Sequence, residues 1–235
     1  MDVQALIKEY SLSVKRSLDQ HFVIDEAILD KEIELAGLKK GDVALDVGAG
    51  IGNLTKRIAA RCRAIAIERD AQFLPLLNTI ENAEIIHGDA LTAINRLAFN
   101  KIVSNIPYSI SQPLLLELLK HKWDIAVLLV QKEFALKMLS KSKLAVLVND
   151  CCFFNIDSFV PGGAFYPPTV DSALVTLKQK RLLDAAFWKF LSRIYMQKNR
   201  NVKNVVDAYP QDMARKKVHQ LGAKELKTLH EMNKK

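Results

Sequence analysis

A chain of 235 residues, 49% of them apolar, is long enough for one full domain with a sizeable core and a small second one. No run of about 18 apolar residues occurs, so no segment is expected to span a membrane, and the opening MDVQALIKEY lacks the charged-then-apolar order of a signal peptide. The three cysteines, Cys62, Cys151 and Cys152, are odd in number and form no CxxC pair, which argues against a disulfide framework or a zinc site and for the cytoplasm.

The net charge of +8 is unevenly spread. From Lys178 onward fifteen Lys or Arg stand against five Asp or Glu, a surplus of +10, which leaves −2 on the first 177 residues. A near-neutral body with a basic tail points to a polyanionic partner.

In chain order, Lys15 and Arg16 lead into the polar segment Ser17-Leu18-Asp19-Gln20-His21-Phe22, read as a capping loop. Asp25 is a candidate N-cap for a helix with Ile28, Leu29, Ile33 and Leu35 on one stripe, closed by Gly37. Val43 to Val47 reads as a buried strand carrying Asp46. It is followed by the glycine turn Gly48-Ala49-Gly50-Ile51-Gly52 and a helix from Asn53 to Arg61. Strand, glycine turn and helix together bring a nucleotide-like ligand against bare backbone. The spacing is GxGxG, not the GxGxxG of dinucleotide sites.

Glu68 closes the next strand, Ala64 to Ile67, and a helix is expected over Ala71 to Ile80. Asp89 follows a third strand, Ala83 to Ile86, and precedes a short helix over Thr92 to Leu97. Acids after three successive strands suit adenosine with a charged tail and no phosphate site, which is S-adenosylmethionine. A fourth strand, Lys101 to Ser104, runs into Asn105-Ile106-Pro107-Tyr108, where Pro107 fixes a rigid corner at the ligand-binding edge of the sheet. Further segments are a helix over Ser111 to His121, a fifth strand over Asp124 to Val130, and a helix over Gln131 to Ser140. Two late strands, Phe153 to Val160 and Ser172 to Lys178, flank the aromatic loop Pro161 to Pro168.

The alternation predicts an α/β fold: a doubly wound, mostly parallel seven-stranded sheet over residues 1–180. From about Leu182 the pattern turns helical. Phe187, Phe190, Leu191 and Ile194 form one stripe, and Met213 to His230 carries one or two short helices. A small basic helical domain is therefore expected over 181–235. Its Lys198, Arg200 and Lys203 are the candidate contacts to the polyanionic partner, which the resemblance given below implies is RNA.

Methyl transfer from a sulfonium needs an in-line nucleophile and exclusion of water. Adenine N6 is a poor nucleophile because its lone pair is delocalised into the ring. Two acceptors aimed at its N–H bonds restore that lone pair. The Asn105 side-chain carbonyl and a backbone carbonyl of Ile106 or Pro107 are placed to supply them. Tyr108 can stack on the base and Phe165 can cover its other face. Small residues, Ser104 and Ser109, leave room for a second methyl group.

The ordered motifs Ser-Leu-Asp-Gln-His-Phe (17–22), Asp-Val-Gly-Ala-Gly-Ile-Gly-Asn-Leu-Thr (46–55), Glu68, Gly-Asp-Ala (88–90), Asn-Ile-Pro-Tyr (105–108), Gln-Lys-Glu (131–133) and Phe-Tyr-Pro-Pro-Thr-Val-Asp-Ser (165–172) resemble those of the ribosomal RNA adenine N6,N6-dimethyltransferases. His21 and Ile106 are similar to the archaeal branch. The resemblance implies that Gln20, His21, Phe22 and Val23 line the methionine end of the cofactor, and that Gly48 and Gly50 pass under its amino-acid part. Glu68 would bind the ribose, and Asp89 with Ala90 the adenine. Asn105 and Tyr108 would hold the target base, with Phe165 opposite. Asp46 is counted with the cofactor set, and Asn105 serves both sets. The implied substrate is a pair of adjacent adenosines in a hairpin near the 3′ end of small-subunit rRNA, within an immature subunit. The enzyme is expected to be a monomer without a metal.

Four departures stand out: Asp19 where the family has Gly, a shortened loop at Thr169, an abbreviated Ser140–Lys143 stretch, and a loosely matching tail after Gln197. The alternatives are a large-subunit rRNA methylase of the antibiotic-resistance type, a DNA adenine methyltransferase, and a ribosome-assembly checkpoint protein with secondary methylation.

Overall fold

Apolar runs bounded by glycines and polar caps account for most of the elements. The computed structural model describes residues 3–15 and 18–234, and of Gln4 the backbone only. Arg16 and Ser17, at the start of the first motif, lie outside the described residues. The strands are β1 (Phe22–Val23), β2 (Val43–Val47), β3 (Arg63–Glu68), β4 (Ala83–His87), β5 (Lys101–Asn105), β6 (Ile125–Gln131), β7 (Cys152–Val160), β8 (Phe165–Tyr166) and β9 (Ser172–Gln179). The helices of the first part are α1 (Val3–Glu9), α2 (Glu26–Ala36), α3 (Asn53–Ala59), α4 (Leu74–Leu77), α5 (Ala90–Ala93), α6 (Ser111–Leu118) and α7 (Lys132–Leu139). Then follow α8 (Lys143–Cys151), α9 (Ala185–Tyr195) and α10 (Ala223–Met232).

Seven strands form one sheet in the order β4-β3-β2-β5-β6-β9-β7, and β1 pairs with β8 apart from it. The strands β4, β3, β2, β5 and β6 run parallel to their neighbours, and β9 is antiparallel to β6. The inner strands are buried on both faces: Ala44, Leu45, Ala64, Ala66, Ile102 and Val103 are all 3% exposed or less. That explains their near-continuous apolar sequences. The chain winds outward from β2 through β3 to β4, then crosses back to place β5 on the other side of β2. The gap between the carboxyl ends of β2 and β5 is the topological switch point, where such sheets bind ligands.

Local chemistry sets several boundaries. Asp25 caps α2 by accepting from the Ala27 N–H at 2.9 Å, and Gly37 closes it at φ +54°. The helix expected over 71–80 is a 3-10 turn (Ala71–Phe73) followed by the single turn α4, because Pro75 offers no N–H to a continuous ladder. The one expected over 92–97 begins earlier, at Ala90, because Asp89 caps it through the Leu91 N–H.

Helix α8 is a missed element. Its five-residue apolar run, LAVLV, is rich in branched residues and too short to separate helix from strand, but Ser142 caps it by accepting from the Ala145 N–H at 3.1 Å. Residues 1–135 and 154–179 form one compact unit; 136–153 and 180–235 form the second. Residues 136–153 thus group with the tail, although the sequence places them in the 1–180 body. The second unit has its own core, centred on Phe187, Phe190, Leu191 and Ile194 of α9 with Leu226 and Leu229 of α10.

Phe187 is fully buried in that core. Phe187→Ala is expected to destabilise the unit by about 3–5 kcal/mol. Hydrogen exchange of the amides of α9 and α10 measures the loss.

Candidate active site

The glycine turn after β2 closes on two neighbours. Gly48 has φ +75°, and a Cβ there would lie 2.9 Å from the Pro107 ring. Gly50 has φ +53°, and a Cβ there would lie 2.8 Å from the Phe22 ring. A side chain at either place is excluded both by backbone conformation and by space. The Gly48 and Ala49 N–H groups both donate to the Ile67 carbonyl, at 2.8 and 3.2 Å. Glu68 at the end of β3 then grips the turn: Oε2 accepts from the Gly50 N–H and Oε1 from the Asp70 N–H, each at 2.7 Å. Burial pushes the Glu68 pKa up, against those hydrogen bonds, which favour its charged form.

Asp46 is 1% exposed and accepts from the Thr55 hydroxyl at 2.7 Å. Burial raises its pKa to about 7. Glu32 on α2 is fully buried and neither of its carboxyl oxygens has a partner, so burial and then the nearby Asp46 hold its pKa well above the usual range.

A cleft at the switch point encloses about 1020 Å3 of space open to solvent. Gln20, His21, Phe22, Val23, Asp46, Gly48, Gly50, Glu68, Asp89, Ala90, Asn105 and Pro107 all line it. The segment 18–23 is held over it at several points. Gln20 accepts from the Lys15 N–H at 2.6 Å and donates to Asp70 at 2.9 Å, so its amide is committed to structure. Burial alone would push Asp70 up, but bonds from Lys15, Gln20 and Gln72 outweigh it and hold its pKa at about 2. The His21 Nδ1–H donates to the Pro167 carbonyl at 3.0 Å. The Val23 carbonyl accepts from Asn53 at 2.8 Å.

Asp19 sits at φ +54°, a conformation that favours Gly, and its Oδ2 accepts from the Ser109 N–H at 2.8 Å. That bond, together with the tolerance of Asp for left-handed backbone, accounts for a non-glycine here. It also ties the segment above the cleft to the turn after Tyr108.

Asn105 ends β5, and its Oδ1 is buried with no hydrogen-bond partner among the described residues. The corner behind it is fixed. Ile106 is 2% exposed and does not line the cleft; its N–H donates to the Leu129 carbonyl at 3.2 Å. The Pro107 carbonyl accepts from the Ile110 N–H at 3.1 Å and the Ser111 hydroxyl at 3.4 Å. Tyr108 stands beside the cleft, its hydroxyl 2.6 Å from the buried Ser172 Oγ and its ring near-parallel to His21, at 16° with centroids 6.4 Å apart.

Phe165 is 3% exposed, paired with Val23 across β1 and β8, and is not at the cleft wall. Ser104 is also withdrawn: its hydroxyl bridges the Val47 N–H and carbonyl, locking β5 to β2. Ser109 does line the cleft. The shortened loop closes through Thr169, whose N–H donates to the Gly162 carbonyl at 3.2 Å. Lys198, Arg200 and Lys203 are exposed on the second unit.

Sequence reasoning missed Asn53, Arg69 and Phe73 in the cleft wall and Ser172 behind Tyr108. Arg69 had a signal in its place directly after Glu68, and Ser172 in its place within the aromatic-loop motif.

A mostly parallel seven-stranded sheet with a glycine-turn cleft at its switch point and acids after the first strands defines a Rossmann-like, S-adenosylmethionine-dependent methyltransferase. Comparison with known proteins narrows the class. The chain belongs to the ribosomal RNA adenine dimethylase family, which it matches over residues 11–234. It is 35% identical to a probable ribosomal RNA small subunit methyltransferase A of Methanosarcina mazei, over 98% of this chain and 96% of that one. It is similar in structure to a dimethyladenosine transferase from Plasmodium falciparum, with a TM-score of 0.80, 25% identity, and coverage of 88% of this chain and 95% of that one. The 23S rRNA methyltransferase ErmE shares the fold, at a TM-score of 0.71, 22% identity, and coverage of 90% and 99%.

The Asp46 proton gives a pH signature. The unfolded carboxyl ionises near pH ~4, whereas the folded one keeps its proton up to about 7. Between those values the folded state binds more protons, so this group makes stability fall as pH rises through the window. Asp46→Asn keeps an acceptor for Thr55 and removes the titration. Denaturant unfolding at pH 5 and 7.5 is expected to show a smaller drop in the variant than in the wild type.

Proposed function

We propose that the protein transfers methyl groups to N6 of two adjacent adenosines in a hairpin near the 3′ end of small-subunit rRNA, as a monomer, on an immature subunit in the cytoplasm. The observation that carries this reading is the Asn105 Oδ1. It is a buried acceptor with no partner among the described residues, in the wall of a methyltransferase cleft. A buried polar atom left unmatched costs roughly 1–3 kcal/mol, and an exocyclic amine is the donor that would satisfy it. The small-subunit assignment draws on the printed names of the archaeal relatives.

The residues present fit the cofactor. The turn at Gly48 and Gly50 keeps bare backbone at the cleft. Each Glu68 oxygen is oriented by one backbone N–H and retains a lone pair for a ribose hydroxyl. Asp89 uses Oδ1 to cap α5, leaving Oδ2 for the adenine together with the Ala90 backbone. His21, Phe22 and Val23 close the methionine end, with Gln20 holding that segment down. When bound, S-adenosylmethionine supplies a methyl group on a positively charged sulfur.

The protein's part is to orient and sharpen the amine. Asn105 accepts one N6–H. The Ile106 carbonyl is the better second acceptor, since the Pro107 carbonyl is already used twice. With both N–H bonds held, the lone pair turns out of the ring plane. Tyr108, its hydroxyl fixed by Ser172, offers a flat face for the base, and such stacking contributes on the order of 1–3 kcal/mol. Phe165 backs the strand pair that carries Phe22 and Val23. After transfer the amine sheds a proton to solvent, so no dedicated base is needed. It then rotates to offer its remaining N–H to one acceptor, so that its lone pair faces the second methyl, with Ser109 leaving room. Lys198, Arg200 and Lys203 dock the RNA.

Two substitutions separate the roles. Glu68→Gln is expected to weaken cofactor binding by about 1.5–3 kcal/mol in calorimetry. Asn105→Ala is expected to slow transfer by on the order of a hundredfold or more while RNA affinity holds. Full activity in the Asn105 variant would remove the basis of this reading.

A further inference from the structure

The second unit carries a cavity of its own. Lys141, Lys143 and Lys198 line it with Ser142, Tyr195 and His219, and no carboxylate contributes to its wall. The first turn of the nine-residue helix α8 begins here, with Ser142 as its cap. Helix N-termini present positive potential and amides without intrahelical partners.

The Lys143 ammonium lies 4.1 Å from the Trp188 ring centroid and 3.3 Å from the Ser192 hydroxyl, and among the described residues it has no ion pair. Its pKa is lowered, first by burial and then by Lys137, as expected of a cation crowded by another cation. Glu225, an acid close enough to feel Lys141, is committed to Lys216 at 2.8 Å and to the Gly222 N–H at 2.8 Å.

The walls are braced. The Tyr195 hydroxyl donates to the Lys141 carbonyl at 3.2 Å, and the His219 Nδ1–H donates to the Lys198 carbonyl at 2.8 Å. Three lysines lining a concavity at a helix N-terminus, with the neighbouring acid Glu225 committed to Lys216 and Gly222, make a seat for an oxyanion.

We propose that this cavity seats one phosphate of the RNA backbone, with Lys141, Lys143 and Lys198 as its cationic wall. This rests on the reading of the second unit as the RNA-docking part, and it adds Lys141 and Lys143, which lie outside the basic tail. A site of this kind fixes position along the strand and carries no base preference.

The test is the salt dependence of binding to deproteinised small-subunit rRNA. Three variants are compared with the full-length wild type: Lys141→Gln with Lys143→Gln, the charge-matched Lys39→Gln with Lys40→Gln on the first unit, and Arg200→Gln with Lys203→Gln. Lys141→Gln alone, at an exposed position, serves if the double variant does not fold. Losing one held phosphate lowers the slope of log affinity against log salt by roughly 0.7–0.9. The cavity variant is expected to show that fall and the Lys39/Lys40 variant none. A cavity variant with an unchanged slope, or one changed no more than the Lys39/Lys40 control, overturns the proposal. If Arg200 and Lys203 still lower the slope in that case, the docking reading stands without the cavity. If neither pair lowers it, both readings fall.

Discussion

The approach of Gly48 to Pro107 is the contact on which the site depends. It joins the turn after β2 to the corner after β5 at the one gap in the sheet where the chain reverses direction. A side chain at Gly48 would meet the proline ring at 2.9 Å, so the turn and the corner pack as backbone against ring. That closeness puts a cleft built for a small ligand within reach of the Asn105 carbonyl, and it leaves no slack in either loop. Ser104 tightens the same joint from below by binding both backbone groups of Val47.

Other interactions hold the remaining walls to this joint. Glu68 ties the turn to β3 through the Gly50 N–H. Asp19 ties the covering segment to Ser109, next to Tyr108, and Ser172 fixes the Tyr108 hydroxyl from β9. Binding energy at one part of the cleft is therefore not spent on ordering another part. The unpartnered groups mark where the protein itself is incomplete. Asn105 Oδ1 is such a group in the cleft. Glu32 is different. It is sealed in the core beside Asp46, where a protonated carboxyl is neutral and needs no counter-charge.

Much of this was legible in the sequence because the constraints are local. A buried parallel strand has to be apolar on both faces, so β2, β3, β5 and β6 stood out. A turn with positive φ and no room for a Cβ has to be glycine, so the turn after β2 stood out too. The acids after the strands and the proline corner followed from chain order alone. What escaped depends on long-range contacts. Helix α8 opens with a short, branched apolar run that does not separate helix from strand, and its Ser142 cap is the local signal that betrays it. Phe165 reads as an aromatic free to stack, but its pairing opposite Val23 packs it away. The Asp19 bond to Ser109 spans 90 residues, which no local pattern encodes. The grouping of residues 136–153 with the tail is tertiary in the same way.

The central claim is that the Asn105 corner places two methyl groups on adenine N6 of small-subunit rRNA. The most direct measurement supplies the protein with labelled S-adenosylmethionine and immature small subunits, with large subunits and duplex DNA in parallel, and analyses the digested nucleosides by mass spectrometry. The account predicts label in the small-subunit RNA alone, as N6,N6-dimethyladenosine, with the monomethyl form rising and falling before it. Product that stops at one methyl, or label that accumulates in large-subunit RNA or DNA, would contradict it.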